Sequence, residues 1–189
     1  TAAVRDASNA ERRIEAIDRA FGAPPRVLTG KEEARYATLG VTYGIQSAKG
    51  LFADLGGGSL ELGLSEDGPL TSLPIGVVRL HEKAKGKRDK AQKIIVKALK
   101  KVRFLGRAKG ETLHLVGGSW RHFAALHRRL ENKPIPQLIE GYALRSRTVR
   151  QFARKIAREK SSRLAPYLRR PDRARTLPYA AIVLRQLIR

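Results

Sequence analysis

The chain has 189 residues, with 39 Lys and Arg against 17 Asp and Glu for a net charge of +22, and 42% of its residues are hydrophobic. A chain of this size and apolar content can bury roughly 70% of its unfolded surface as one domain or two small ones, with no covalent staples. The lack of cysteine excludes a disulfide scaffold, thiolate metal sites and a cysteine nucleophile, and no apolar run approaches the ~20 residues of a membrane span.

Ser8 and Asn9 can cap a helix to about Phe21, with apolar positions at Ala10, Ile14, Ile17 and Phe21, and Gly22-Ala23-Pro24-Pro25 ends it. Val27-Leu28-Thr29 is expected as a short strand, followed by a helix from Lys31 to about Tyr43. Leu51–Leu55 reads as a buried strand, Gly56–Ser59 as a tight turn, and Leu60–Leu64 as the return strand. A third strand is expected over Leu70–Ile75. Asp89 to Phe104 has helical period, with Ala91, Ile94, Ile95, Ala98, Leu99 and Val102 on one face and Lys90, Lys93, Lys97, Lys100 and Lys101 on the other. Leu113–Val116 is a strand leading through Gly117-Gly118-Ser119 into a helix to about Arg129. A loop at Lys133–Pro136 and helices over Thr148–Lys160 and Asp172–Ile188 complete the chain. Strands alternating with helices predict a single α/β (α+β) domain with a mixed sheet, its antiparallel part supplied by the glycine hairpin.

The sharpest chemical signal is Asp54-Leu55-Gly56-Gly57-Gly58-Ser59 with Glu61 two residues on. Three glycines between strands let backbone N–H groups approach an anion without a Cβ in the way, and Ser59 adds a donor. Asp54 and Glu61 flank the turn, so both carboxylates can face one bound metal phosphate. The plainer reading is a Gly-rich hairpin with an acidic edge. Glu32 and Glu33 open a helix after a strand; a Glu there can act as a general base. First-turn acids also simply stabilise a helix by about 0.3–1 kcal/mol, and spacing alone favours that. Arg5, with Asn9 before the first helix, is a candidate phosphate fork, and its plainer role is an ion pair. Gly117-Gly118-Ser119 is a second strand–glycine–helix junction able to meet an anion, although turn packing explains it equally.

Other mechanisms lack their residues. There is no phosphate loop of the G-x-x-x-x-G-K-[ST] type and no G-x-G-x-x-G opening a helix. His81, His114, His122 and His127 lack zinc spacing, Ser59 has no nucleophile elbow, and the aromatics do not interleave with Lys and Arg as base stacking would need. The charge is also uneven. Residues 1–80 hold nine basic and ten acidic side chains; residues 81–189 hold thirty basic and seven acidic, a net of +23. A field of that size suits a polyanion.

Six blocks, TAAVRDASN, LTGKEEARY, DLGGGSLEL, SLPIGVVRL, LVGGSW and RARTLPYAAIVL, resemble in order the Ppx/GppA family of exopolyphosphatases and guanosine pentaphosphate phosphohydrolases. The family belongs to the acetate and sugar kinase, heat-shock chaperone and actin superfamily. The resemblance implies a ribonuclease-H-like, actin-type domain, the second of two that enclose a cleft. It implies that Glu33 is the base that activates water, that Asp54 helps hold Mg2+, and that Glu61 is a second acid near the metal and the attacked phosphate. It further implies that Gly56, Gly57, Gly58 and Ser59 bind phosphate and that Arg5 contacts substrate phosphates. The expected substrates are inorganic polyphosphate or guanosine pentaphosphate, with no membrane partner, nucleic acid disfavoured and a homodimer as a family expectation. A polyanion-binding module without turnover is the competing reading. Without a Met, and without the family's earlier Asp-x-Gly-x-x-Ser hairpin, the chain is read as an internal piece of a longer protein, inactive or nearly so by itself. Glu140-Gly141-Tyr142 stands where members often have His-Gly-Tyr, and the resemblance is read as not extending to the C-terminal helical domain of longer members. No signal peptide opens the chain, so a cytoplasmic location is expected.

Overall fold

The computed structural model describes residues 5–46, 48–65, 67–131 and 141–188. Four strands, β1 (Leu51–Leu55), β2 (Leu60–Leu64), β3 (Leu70–Leu73) and β4 (Leu113–Val116), form one sheet in the order β3-β2-β1-β4. β1 pairs antiparallel with β2 and parallel with β4, and β2 pairs antiparallel with β3, so the expected mixed sheet is present. The helices are α1 (Ala10–Phe21), α2 (Gly30–Gly44), α3 (Val77–Lys83), α4 (Arg88–Leu99), α5 (Gly118–Leu130), α6 (Ser146–Arg158), α7 (Ser161–Leu164) and α8 (Leu177–Leu187). Among the described residues, none is long and apolar enough to cross a membrane.

Strand alternation divides the sheet's two faces. Ala53, Leu55, Leu60 and Leu62 join the main core with Leu80, Ile95, Phe123, Ile156 and most of α8. α8 is the centre of that layer: Leu177 through Leu184 are all buried, and α4, α5 and α6 pack around it. The other face carries Phe52, Asp54, Glu61 and Gly63 and is covered by α2. Gly63 permits the close approach, since a Cβ there would lie 2.4 Å from Thr38 Oγ1. α2 buries Ala34 and Thr38 toward the sheet and leaves Tyr36 and Tyr43 exposed.

Several expectations need correction. Val27-Leu28-Thr29 forms no strand, because no neighbouring strand pairs with it among the described residues. The helix expected from Asp89 to Phe104 ends at Leu99 and gives way to a 3₁₀ segment, Arg103–Ala108. The helix expected from Asp172 is divided: Pro171–Arg175 is a 3₁₀ turn, and α8 begins at Leu177. Pro178 has no N–H to donate and fits the first turn, where no donor is needed, so the helix starts there. The short helix α3 was not foreseen. The loop at Lys133–Pro136 and Glu140 lie outside the described residues.

Candidate active site

Antiparallel register sets Asp54 of β1 directly opposite Glu61 of β2. Their side chains therefore emerge together on the α2 face. Glu61 is buried at 6% exposure, and Ser72 Oγ of β3 donates to its Oε1 at 2.8 Å. Burial pushes the Glu61 carboxyl above the usual carboxylate range; hydrogen bonds from Ser59 and Ser72 oppose the rise, and the charges of Asp54 and Glu33 add to it. Burial likewise pushes Asp54 up, with the charge of Glu33 adding to the rise.

The glycine turn after Asp54 is held from behind by α3. Gly57 O accepts from the amides of Val78 at 2.9 Å and Arg79 at 3.1 Å, and Gly56 O accepts from Val77 at 3.1 Å. Gly76 must be glycine for this contact, since a Cβ would fall 2.3 Å from Ser59 N. The helix start thus consumes the turn's carbonyls. Among the described residues, the amides of Gly57 and Gly58 make no backbone hydrogen bond, which leaves them available to an anion. The Ser59 hydroxyl lies close enough to Glu61 to oppose the rise of its carboxyl, a neighbour the sequence did not suggest.

The start of α2 separates the two adjacent glutamates. Thr29 Oγ1 accepts from the Glu32 amide at 3.2 Å, and Glu32 Oε2 accepts from the Thr29 amide at 2.7 Å, a reciprocal cap. Glu32 also pairs with Arg26. It therefore carries the helix-stabilising role. Glu33 instead accepts from Arg5 Nη1 at 2.9 Å through Oε2, and the same nitrogen donates to Leu28 O at 2.8 Å. Asp6 stands beside Arg5 and pairs with Arg79 of α3. Arg5, Asp6, Gly30, Lys31, Ser59 and Ser72 line an open cleft of about 480 Å³.

Two features of the site were not legible as such. β4 runs parallel to β1 beside it, so Gly117 arrives next to Asp54. Gly117 adopts φ +103°, and a Cβ there would sit 2.4 Å from Asp54 Oδ1. Arg121, exposed in the first turn of α5, lies near enough for its charge to oppose the rise of Asp54. The signal that could have found them was the glycine junction itself, once β4 was placed next to β1. Lys31 is a further cation on the cleft wall. Asn9 is not drawn in: it precedes α1, exposed and without a side-chain cap bond. The histidines take oxygen partners: His81 with Tyr179 at 3.2 Å, His114 with Lys49 O at 3.0 Å, His122 with Gly118 O at 2.6 Å and His127 with Tyr142 at 2.9 Å.

Asp54 and Glu61 offer oxygen donors suited to a hard divalent cation. Both carboxyls are raised, first by burial and then by the charge of Glu33, and Asp54 adds to the rise of Glu61, which gives the pair an electrostatic reason to accept one. Among the described residues no three acid, His or Cys side chains converge as a complete cage. The donor set therefore fits an ion that takes one or two protein carboxylates and fills its shell with phosphate and water, as magnesium does.

The family model described as Ppx/GppA phosphatase family matches residues 1–189. Exopolyphosphatase 1 of Mycobacterium tuberculosis is 39% identical over 85 residues, covering 42% of this chain and 25% of the relative. A solved exopolyphosphatase-like protein superposes with a TM-score of 0.84 at 26% identity, over 98% of this chain and 64% of that one. An Aquifex aeolicus Ppx/GppA family member gives a TM-score of 0.70 at 28% identity, over 98% of this chain and 63% of that one. The chain thus spans a quarter of the curated relatives it matches and a little under two thirds of these solved ones. With its mixed sheet, glycine hairpin and paired acids, the chain belongs to the Ppx/GppA phosphatase family.

Proposed function

We propose that this chain supplies one wall of an exopolyphosphatase active site, which hydrolyses terminal phosphoanhydride bonds of inorganic polyphosphate and releases orthophosphate. One observation carries the reading: Arg5–Glu33, Asp54–Glu61 and the turn at Gly56–Ser59 converge on one side of the sheet although they come from separate segments. The match to an exopolyphosphatase favours polyphosphate over guanosine pentaphosphate as substrate.

In this mechanism the amides of Gly57 and Gly58 and the guanidinium of Arg5 bind and orient the terminal phosphoryl group. Glu33 takes a proton from water as the water oxygen bonds to phosphorus. The bridging P–O bond breaks, its electron pair leaves with the chain shortened by one phosphate, and the proton remains on Glu33 until release. Asp54 and Glu61 would hold Mg2+, which when bound neutralises charge on the phosphoryl oxygens. The net positive field of residues 81–189 draws the substrate toward the cleft. We assign the opposite wall, with its own phosphate hairpin, to the further length present in the solved relatives.

The test is phosphate release from long-chain polyphosphate with Mg2+. This chain, the protein completed with the opposite wall, and the completed protein carrying Glu33→Gln are compared. Activity confined to the completed wild type supports the reading. Equal activity in Glu33→Gln removes Glu33 as base, and polyphosphate binding without turnover in the completed wild type favours a binding module.

A further inference from the structure

Four side chains of alternating charge run from α3 to the start of α2: Arg79, Asp6, Arg5 and Glu33. Asp6 Oδ2 accepts from Arg79 Nη2, Asp6 Oδ1 lies 3.6 Å from Arg5 Nε, and Arg5 Nη1 donates to Glu33 at 2.9 Å. All four are partly shielded, at 20–40% side-chain exposure. Arg79 is also tied by its backbone amide to Gly57 O at 3.1 Å. One residue therefore grips the glycine turn with its main chain and Asp6 with its side chain.

The geometry of Arg5 makes this chain of charges useful. Its Nη1 is committed to Leu28 O and Glu33, and Asp6 faces its Nε edge. Nη2 makes no hydrogen bond among the described residues and lies beside Gly30, 3.8 Å from where a Cβ would stand, on the cleft wall. A guanidinium is planar, so fixing two of its edges fixes the third. Three carboxylates, Glu33, Asp6 and Glu61, attract Arg5. Holding it at Asp6 stops it from turning away from Glu33 toward Glu61.

We propose that Asp6 and Arg79 are positioning residues: they hold Arg5 so that one nitrogen orients Glu33 while another stays open to phosphate, and they keep the base in register with the glycine turn. This rests on the reading of Glu33 as base and Arg5 as phosphate ligand. The link is made across segments 73 residues apart in sequence, so it also ties the segment at Arg5 and Asp6 to α3.

The test uses the completed protein and measures kcat and KM for polyphosphate in Asp6→Asn, Arg79→Gln, the double variant, Asp6→Glu and Glu33→Gln. Misplacing the base should lower kcat about ten- to a hundredfold in Asp6→Asn and in Arg79→Gln, with KM changed less than about threefold. The double variant should lose no more than the worse single one, and Asp6→Glu, which keeps the charge and the fold, should recover part of the loss. In the Glu33→Gln background either substitution should cost much less than in the wild type, because the base they place is already gone and only the phosphate contact of Arg5 remains to be lost. Wild-type kcat in Asp6→Asn and Arg79→Gln beside an inactive Glu33→Gln would overturn the positioning role and leave the hydrolytic reading standing. A further drop of the same factor in the Glu33→Gln background would also overturn it, as the mark of a general structural role. Full activity in Glu33→Gln would instead remove the hydrolytic reading on which the proposal stands.

Discussion

Residues 1–80 and 81–189 handle charge in opposite ways. The first part is nearly neutral, yet it holds Arg5, Asp6, Glu33, Asp54, Glu61 and Arg79, arranged so that cations and carboxylates meet within a few ångströms. The second part carries +23 and little of it is locally matched. Its acids Glu159 and Asp172 pair with Arg163, Arg170 and Arg173, while Lys90, Lys93, Lys97, Lys100 and Lys101 form no ion pair among the described residues. Its apolar side chains build the α8-centred core. The contrast separates two electrostatic tasks. Chemistry needs short-range, oriented charge in a shielded place. Capture needs long-range field, which salt screens beyond about 8–10 Å. Substitutions in the first part should therefore act on kcat, and those in the second on capture.

The largest effect is expected at Glu33. In the completed protein Glu33→Gln should lower kcat by about 10²- to 10⁴-fold, the usual worth of a positioned base, with polyphosphate binding retained. Arg121 tests the border between the regions, since it belongs to the basic part by sequence and its charge reaches Asp54. Arg121→Ala should lower kcat/KM about ten- to a hundredfold if its guanidinium meets a charged phosphate. Arg121→Lys should recover only part, since a point charge cannot reproduce the planar fork. A change below twofold would return Arg121 to the general field.

A smaller effect is expected on α4, where Gln92, Lys93, Val96, Lys97 and Lys100 line an open groove of about 430 Å³. Replacing Lys93, Lys97 and Lys100 together by Gln should leave kcat unchanged and lower kcat/KM about three- to tenfold at low salt. The loss should fade as salt rises, and the salt slope of log KM should fall by about 2. A loss of kcat would break the division of labour.

Local signals made the centre of the fold legible. Three glycines and Ser59 between two apolar runs can only be a tight reversal, so the strands, their antiparallel pairing and the Asp54–Glu61 pair followed. α4 was legible from helical period, although it ends at Leu99 rather than Phe104, and α2 lies where a helix from Lys31 to about Tyr43 is expected. What escaped depended on contacts distant in sequence. Val27–Thr29 has strand residues but no pairing neighbour among those described. α3 spans only Val77–Lys83 with no side-chain cap, and what positions it is the glycine turn that accepts its first amides. Glu32 and Glu33 look alike in sequence; the Thr29 cap and Arg5 distinguish them. Arg121 needed the parallel pairing of β4 with β1 to come into view.

The smallest expected effect is thermodynamic and has the opposite sign to the catalytic ones. Asp54 and Glu61 both have carboxyls raised in the folded chain, first by burial. The folded state then holds protons that the unfolded state has released, so stability falls as pH rises from the unfolded value near 4 through the raised folded values. Asp6 runs the other way: hydrogen bonding from Arg79 holds its carboxyl low, and its contribution is lost as pH falls. Asp54→Asn removes a partly buried charge that Glu33 disfavours, while keeping the shape beside Gly117. In metal-free buffer near pH 7.5 it should raise Tm by about 2–4 °C, the shift that ~1 kcal/mol gives a chain of this size. The gain should shrink as pH falls, because the raised carboxyl of the folded wild type takes up a proton before that of the unfolded chain does. Thermal melts of both proteins at pH 4.5, 6 and 7.5 check this. A lower Tm, or a gain that does not vary with pH, would show that the Asp54 charge is already compensated within the chain, and the site would have no electrostatic need of a cation.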